Sequence, residues 1–255
     1  VQDYLFLTIK SPALLPSLQA MKPLIGKDTT IITCMNGIPH WYFHKLDNKY
    51  ANYKIKCLDP NLLIDTILPP DNILGSVVYP ACEILKPGTI KHLAGNRFSL
   101  GEPEGSESHR LKFISDILKR AGFRAPIQKN IRDEIWLKLI GNLSFNPISA
   151  LTGATLEQIC NDQGTEAIVR AMMTEAKIIA EKLGAKINIS IEKRIDGARK
   201  VGAHKTSMLQ DIEAGKPIEI DSIIIAVKEL GELTCSPTPY IDTILNLTLQ
   251  KANLI

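Results

Sequence analysis

Short apolar runs alternate with helical stretches over the first half of the chain. Residues 4–9 and 29–34 form two such runs, apolar and partly β-branched or aromatic, which is typical of strands buried on both faces of a parallel sheet. The sequence between them predicts a helix over residues 13–25 that ends near Gly26. Strand, helix and strand in that order form a βαβ unit, so the pattern predicts a parallel sheet with right-handed crossovers.

The pattern becomes less regular after this unit. Residues 46–72 form a polar excursion that contains Pro60, Pro69 and Pro70. Beyond it, apolar runs predict strands over residues 73–79, 89–93, 98–100 and 124–127, and a helix over residues 107–121.

From residue 130 onward the chain is predicted to be helical throughout. Gly184 and Gly215 follow helix ends, and Thr238 with Pro239 offers an N-cap followed by proline at the first helical position. The sequence therefore predicts an α/β domain over residues 1–129 and an all-α domain over residues 130–255. The predicted helices cover residues 130–146, 156–160, 164–183, 190–202, 205–214, 220–233 and 239–252.

Composition narrows the class of protein. The 255 residues are 45% hydrophobic and 22% charged, near the globular average, so disorder is not expected. The net charge of +3 is spread along the chain without a basic block, which argues against nucleic acid or an anionic membrane as partner. Five scattered cysteines without a C-x-x-C pair are typical of reduced thiols in a cytoplasmic protein. We expect no membrane span and no signal peptide.

One signature of nucleotide-binding α/β domains is absent from the sequence. No Gly-x-Gly-x-x-Gly spacing and no P-loop pattern occurs, although such a loop normally holds the pyrophosphate. The chain lacks an initiator Met and enters an apolar run directly after Val1-Gln2-Asp3. We therefore expect the glycine loop to lie upstream of this chain.

Three polar residues share one stripe of an otherwise apolar predicted helix. Lys138, Asn142 and Asn146 recur at i, i+4 and i+8, so they lie on one face. A buried helix does not leave an ammonium and two amides unpaired, so this stripe should face a polar partner or a wet cleft. The alternative is a solvated face on which Glu134 and Lys138 form an i, i+4 ion pair.

A second segment carries Ser207 and Asp211 on one predicted helix face, followed by Glu219 at the start of the next helix. These residues could face the same cleft as the lysine. The alternative is purely structural: Ser207 caps a helix, and Glu219 interacts favourably with a helix dipole.

Further candidates follow the first two predicted strands. Lys10 and the Asn36-Gly37 pair come just after strands whose carboxyl ends are the usual ligand side of a parallel sheet. His40 and His44 are four apart, as in some zinc sites, but Trp41 follows the first histidine and no third ligand is evident. We therefore predict no metal site.

These segments together resemble the ketopantoate reductase (2-dehydropantoate 2-reductase) family over nearly the whole chain. The family has a W-x-K-L-x-x-N-x-x-x-N-P pattern, an S-M-x-x-D segment followed by an E-I-D-like turn, and a short N-G motif after a strand. Each motif is weak alone, but three in the right order are specific. The matching residues are Asn36, Gly37, Trp136, Lys138, Asn142, Asn146, Pro147, Ser207, Met208, Asp211 and Glu219.

The resemblance implies an NADPH-dependent reduction of ketopantoate to pantoate, in the biosynthesis of pantothenate, by an incomplete Rossmann-type domain and a helical substrate domain. The cofactor supplies a hydride to the 2-oxo carbon, and Lys138 is implied as the general acid. Glu219 would orient the substrate hydroxyl and help to hold Lys138. Asn142 and Asn146 would hold the hydroxyl and carboxylate of the substrate.

The resemblance also implies roles outside the lysine stripe. Ser207 would contact the substrate carboxylate, Asn36 would bridge nicotinamide and substrate, and Lys10 would line the cofactor side. Asp211 receives no firm role. The implied protein is cytoplasmic, acts on a small 2-oxo acid and can form a homodimer.

Two departures from the family remain. Without the glycine loop, the chain as printed is expected to bind NADPH poorly, and residues 45–71 look longer than in the shortest members, which could cover the cleft or alter substrate choice. Two alternatives stay open: a related dehydrogenase acting on another 2-oxo acid, and a non-catalytic scaffold in which the stripe is buried in a subunit interface.

Overall fold

A computed structural model describes residues 1–254 and begins with a four-stranded sheet. Its strands have the order β1-β2-β3-β6, and β1, β2 and β3 run parallel while β6 is antiparallel to β3. The sheet is thus mixed rather than wholly parallel as predicted, because β6 pairs antiparallel with β3. The strands are β1 (Tyr4–Leu7), β2 (Thr30–Thr33), β3 (Ile73–Val78) and β6 (Phe98–Gly101).

Helices cover both faces of this sheet. Helix α1 (Leu14–Met21), flanked by 3-10 turns, supplies Leu14 and Leu18 to the main core, in place of the longer helix predicted over residues 13–25. Helix α3 (His109–Arg120) packs on the other face, where its apolar side chains meet a second core cluster. The predicted strand over residues 124–127 is reduced to isolated bridges at Arg124 and Ile127.

A two-stranded hairpin stands apart from the main sheet. It consists of β4 (Ala81–Lys86) and β5 (Thr89–Ala94), which pair antiparallel. Only β5 was predicted. The side chains of β4 are exposed on both faces after Ala81, so its sequence lacks the alternation that marks a half-buried strand.

The segment over residues 45–71 folds against the helical half instead of forming a polar excursion. It contains one short helix, α2 (Ile64–Ile67), and buries Ile55 and Leu68 in the main core. The Asp59 carboxylate accepts hydrogen bonds from the backbone amides of residues 63 and 64 at 2.8 Å, which fixes the start of α2.

The second half of the chain is helical, as predicted, and surrounds one central helix. Helix α4 is buried on nearly all sides and packs against α6, α8 and α10. It continues past the predicted end at Asn146, through Pro147, and ends at Gly153 in the left-handed conformation. The helices are α4 (Ile131–Thr152), α5 (Leu156–Asn161), α6 (Gln163–Lys182), α7 (Ile191–Val201), α8 (Ser207–Glu213), α9 (Ala226–Leu233) and α10 (Pro239–Ala252), with a π-helical turn at Asp221–Ile225 before α9.

Candidate active site

Lys138 projects from α4 toward the carboxyl ends of the parallel strands. Its Nζ donates a hydrogen bond to Asn36 Oδ1 at 2.6 Å and another to the backbone carbonyl of Val78 at 2.5 Å. Nζ also lies 5.7 Å from the centre of the Tyr79 ring. The loop after β2 and the end of β3 therefore fix the lysine ammonium between the two halves of the chain.

The surroundings of Lys138 change its acidity. Burial lowers the pKa of its ammonium from the ordinary 10.5 to about 8, and the Glu219 carboxylate acts in the opposite direction by favouring the charged form. A group that titrates close to neutral pH is well matched to proton transfer, and at pH 7 it still carries its proton.

Glu219 is buried and stands across Asn36 from the lysine. Its Oε1 accepts a hydrogen bond from the backbone amide of Ser11 at 3.1 Å, and its Oε2 accepts a weak one from Asn36 Nδ2 at 3.4 Å. One amide side chain thus links the lysine to the carboxylate, and the Ser11 amide fixes Glu219 at the end of β1.

The loop that carries Asn36 can take its shape because Gly37 follows. Gly37 has φ +86°, and a Cβ there would come within 2.4 Å of the Ser222 carbonyl oxygen. The next amide, of Ile38, donates to the same oxygen at 2.8 Å. The Asn-Gly motif therefore joins the first half of the chain directly to the π-helical turn that follows Glu219.

The two asparagines of the predicted stripe differ in position. Asn142 is half-buried and lines the same cavity as Lys138 and Asn36. Asn146, one turn further along α4, is buried outside the lining of that cavity. The structure brings Lys138 and Asn142 together at the cavity, and Asn146 is not part of its lining.

The alternative of a solvated stripe with a Glu134–Lys138 pair is wrong. Glu134 is buried. Its carboxylate accepts a hydrogen bond from the Tyr79 hydroxyl at 2.6 Å and forms an ion pair with Arg97 at 2.8 Å. Its charge is already compensated there, and Lys138 turns to Asn36 instead.

Lys10 and Asp211 form an ion pair across the two halves of the chain. The Lys10 side chain is half-exposed, and the buried Asp211 carboxylate accepts from its Nζ. Asp211, to which the resemblance gave no firm role, thus holds Lys10 at the end of β1. Ser207 is exposed in the first turn of α8, where Thr206 rather than Ser207 caps the helix, and it does not line the cavity.

The cavity beside Lys138 contains polar residues that the sequence pattern did not single out. Ser76 and Ser222 line it, together with apolar side chains from α1, α4 and the 45–71 segment. The Val78 carbonyl and the Ser11 amide were also missed, because a backbone group leaves no signature in the sequence.

The two histidines of the H-x-x-x-H pattern have separate environments. His44 Nε2 lies 3.2 Å from Asp71, whereas His40 is buried in the wall of the cavity. Within residues 1–254, no group of three or more potential metal ligands comes together. Over the same range, no helix is long and apolar enough to cross a membrane.

This arrangement defines a two-domain type of oxidoreductase, in which a lysine of the helical half faces the ligand edge of an α/β sheet. The profile described as ketopantoate reductase PanE/ApbA matches residues 1–105, and the profile described as its C-terminal part matches residues 130–252. The chain belongs to the ketopantoate reductase family, which confirms the resemblance seen in its motifs.

Individual relatives agree with this assignment. A 2-dehydropantoate 2-reductase of Mesorhizobium japonicum is 49% identical over 251 residues, which are 98% of this chain and 77% of that protein. A Ralstonia solanacearum structure assigned as a ketopantoate reductase is 39% identical, with a TM-score of 0.95 over 99% of this chain and 77% of its own. A D-mandelate dehydrogenase in complex with NADH shares the fold at 22% identity, with a TM-score of 0.83 over 99% and 77% of the two chains.

Proposed function

We propose that the protein reduces 2-dehydropantoate to pantoate with NADPH, and that Lys138 is the general acid. The observation that carries this proposal is the position of Lys138 Nζ, which is held at the cavity by Asn36 and the Val78 carbonyl. Family membership and the Mesorhizobium relative support the choice of substrate.

The residues at the carboxyl ends of β1 and β2 fit a nicotinamide nucleotide. The Asn36 amide both donates and accepts hydrogen bonds, as a nicotinamide carboxamide does, and Lys10 remains half-exposed beside Asp211. Ligands of parallel α/β sheets bind at these strand ends. No residue is proposed for the pyrophosphate, because the chain contains no Gly-x-Gly-x-x-Gly segment.

When bound, the reduced cofactor supplies the hydride for the 2-oxo carbon. As the carbonyl bond becomes single, negative charge develops on the ketone oxygen, and the Lys138 ammonium stabilises it and transfers one proton to it. The product is an alcohol, and the neutral lysine amine regains its proton from solvent. Glu219 keeps Lys138 protonated before the step because its charge raises the lysine pKa.

The remaining assignments follow from the same proposal. Asn142 and Asn146 hold the hydroxyl and carboxylate of the substrate, as the family pattern implies. Ser207 is proposed to contact the substrate carboxylate, which requires α8 to approach the cleft when substrate binds. Residues 1–129 serve the nucleotide and residues 130–255 the substrate.

The proposed assembly is a homodimer in the cytoplasm. A structurally similar ketopantoate reductase of Staphylococcus aureus is described as dimeric, at 21% identity and a TM-score of 0.77 over 99% of this chain and 78% of that chain. Sedimentation of the purified protein measures the assembly state.

The test is NADPH oxidation by the full-length natural protein with ketopantoate and a panel of other 2-oxo acids, with NADH in parallel. The expected result is a strong preference for ketopantoate with NADPH, and pantoate as the product. Turnover of a different acid alone would favour a related dehydrogenase, and no turnover with any acid would favour a non-catalytic scaffold.

A further inference from the structure

Arg194 is a half-buried arginine of α7 whose charge has no partner. Within residues 1–254 its side chain forms no hydrogen bond and no ion pair, and its Nε is shielded from solvent without an acceptor. The two terminal nitrogens, Nη1 and Nη2, are unpaired as well but are not shielded in this way. Because buried polar groups are nearly always paired and arginine stays charged, the open end of this guanidinium is suited to bind an anion.

Gly141 allows Arg194 to lie directly against the central helix α4. A Cβ on Gly141 would come within 2.4 Å of Arg194 Nη2, and its three nearest atoms outside α4 would all belong to the guanidinium. Gly141 follows Lys138 by three residues, so the two positions are neighbours on the surface of α4. The chain therefore has no side chain at the point where the guanidinium contacts α4, close to the proposed acid.

Tyr79 places Arg194 at the junction between the two halves of the chain. It directly follows Val78, whose carbonyl holds Lys138, and its ring centre lies 5.7 Å from Lys138 Nζ. Burial lowers the pKa of Arg194, and the nearby Tyr79 hydroxyl opposes this effect. Arg194 and Lys138 are thus both neighbours of Tyr79, one from α7 and the other from α4.

The charges in this region do not balance. Arg97 forms an ion pair with Glu134 at 2.8 Å. The Glu219 carboxylate favours the charged form of Lys138. Arg194 is the third cation and has no carboxylate of its own, so one positive charge is left over. A single negative charge on a bound molecule would neutralise it.

The proposed substrate has a carboxylate for which the family pattern provides no counter-charge. The residues assigned to its hydroxyl and carboxylate are neutral, and the Lys138 ammonium acts on the ketone oxygen. Removing a carboxylate from water is costly unless a positive charge compensates it. A guanidinium can meet a carboxylate with two parallel N–H···O bonds, and Arg194 offers two unpaired terminal nitrogens. The neutral residues are Asn142, Asn146 and Ser207.

We propose that Arg194 binds the carboxylate of the 2-oxo acid while Lys138 contacts the ketone oxygen, and that Arg194 thereby selects acids over neutral ketones of the same shape. The carboxylate and the ketone of a 2-oxo acid are on adjacent carbons, which suits two cations beside one tyrosine. The inference rests on the proposed function, because it takes the ketone to lie at Lys138.

The test compares pantoate with its amide, which has nearly the same shape without the charge. Binding of each compound to the full-length natural protein is measured by calorimetric titration at pH 7 with NADP⁺ present. The wild type should bind pantoate at least about tenfold more tightly, the effect of one hydrogen bond between charged groups. In Arg194→Gln this preference should fall toward one. Arg194→Lys keeps the charge but not the fork, so its preference should be intermediate.

Two further variants separate the contact from its charge. Lys193→Gln removes the charge of an exposed lysine on the same helix, and it should keep the wild-type preference. Gly141→Ala keeps the charge of Arg194 but displaces the guanidinium, so it should reduce the preference by several fold. Gly141→Ala decides the question should Arg194→Gln fail to fold.

A preference that folded Arg194→Gln retains, or equal binding of pantoate and its amide by the wild type, would overturn this role of Arg194. Binding of neither compound would overturn it together with the proposed substrate. A preference that depends on Arg194, without NADPH-dependent reduction of ketopantoate, would contradict the reductase activity and leave the carboxylate site standing.

Discussion

Asn36 Oδ1 and Lys138 Nζ lie 2.6 Å apart although the two residues are 102 positions apart in the sequence. This contact joins the loop after β2 to the central helix of the helical half. Asn36 also contacts Glu219 on its other side. The negative charge of Glu219 raises the pKa of Lys138. The pH dependence of turnover therefore reports directly on the site.

We expect kcat/KM for ketopantoate to fall above about pH 8, by roughly tenfold per pH unit, because only protonated Lys138 can act as the acid. Glu219→Gln removes the charge that raises the lysine pKa, so the decline should begin at lower pH. Glu213→Gln, an exposed residue of α8 paired with Lys205, is the control and should leave the profile unchanged. An identical profile for wild type and Glu219→Gln would contradict this role of Glu219.

Asn36→Asp should shift the same profile in the opposite direction. A carboxylate in contact with Lys138 favours the ammonium, so the lysine pKa rises and the decline in kcat/KM moves to higher pH. The measurement is the pH profile from about pH 6 to 10. Asn36→Ala, which removes the contact without adding charge, separates the effect of charge from the effect of the lost hydrogen bond. A downward shift in Asn36→Asp would show that Lys138 does not control the decline.

His40 should make the free energy of unfolding depend on pH. Its pKa is about 4 in the folded protein and 6.5 as the ordinary value, so the unfolded chain binds the proton more readily between these limits. The neutral ring contributes fully to the free energy of unfolding above pH 6.5. This contribution decreases by about 1.4 kcal/mol per pH unit as the pH falls toward 4. Urea unfolding at pH 7.5 and pH 5 measures this loss. His40→Phe should lose about 2 kcal/mol less than the wild type over that interval, and equal losses would contradict a neutral, buried His40.

Glu229 should anchor the 45–71 segment to α9. Its carboxylate accepts hydrogen bonds from the Tyr53 hydroxyl at 2.9 Å and from the amides of Lys56 and Cys57 at 2.8 and 3.0 Å. Glu229→Ala leaves these three donors without their acceptor and should lower the free energy of unfolding by about 1–3 kcal/mol. It should also raise KM, because Cys57 lines the cavity.

Glu232→Ala is the matched control for this change, since Glu232 lies on the same helix and is exposed, with Lys228 3.9 Å away. Its loss should cost no more than about 0.5 kcal/mol. Urea unfolding of both variants gives the comparison, and equal losses would contradict the anchoring role of Glu229.

The apolar pattern predicted the parallel strands β1 and β2 and the helical second half. Burial on both faces, which was expected of both strands, is found only in β2, because Tyr4 and Phe6 of β1 are exposed at the edge of the sheet. The pattern failed where tertiary contacts decide the outcome. Helix α4 continues through Pro147 because it is packed on nearly all sides. Strand β4 was not predicted because almost none of its side chains are buried. The 45–71 segment looked polar because only four of its apolar residues, Ile55, Ile64, Ile67 and Leu68, are buried in the main core.

The sequence predicted those parts of the site that are formed by side chains belonging to the family pattern. Lys138, Asn36 and Glu219 were singled out in this way, and the structure brings them together. The Ser11 amide and the Val78 carbonyl were not, because any residue provides such groups. His40 was considered only as a metal ligand, since its spacing from His44 gave no indication that it lies in the wall of the cavity beside Lys138.

The central claim is that Lys138 donates the proton during reduction of ketopantoate. The most direct test compares kcat for the NADPH-dependent formation of pantoate by the wild type and by Lys138→Ala, with Lys112→Ala, an exposed lysine of α3, as control. The account predicts that Lys138→Ala stays folded and loses about 10²–10⁴ in kcat, whereas Lys112→Ala keeps wild-type turnover. A folded Lys138→Ala protein with unchanged kcat would contradict it.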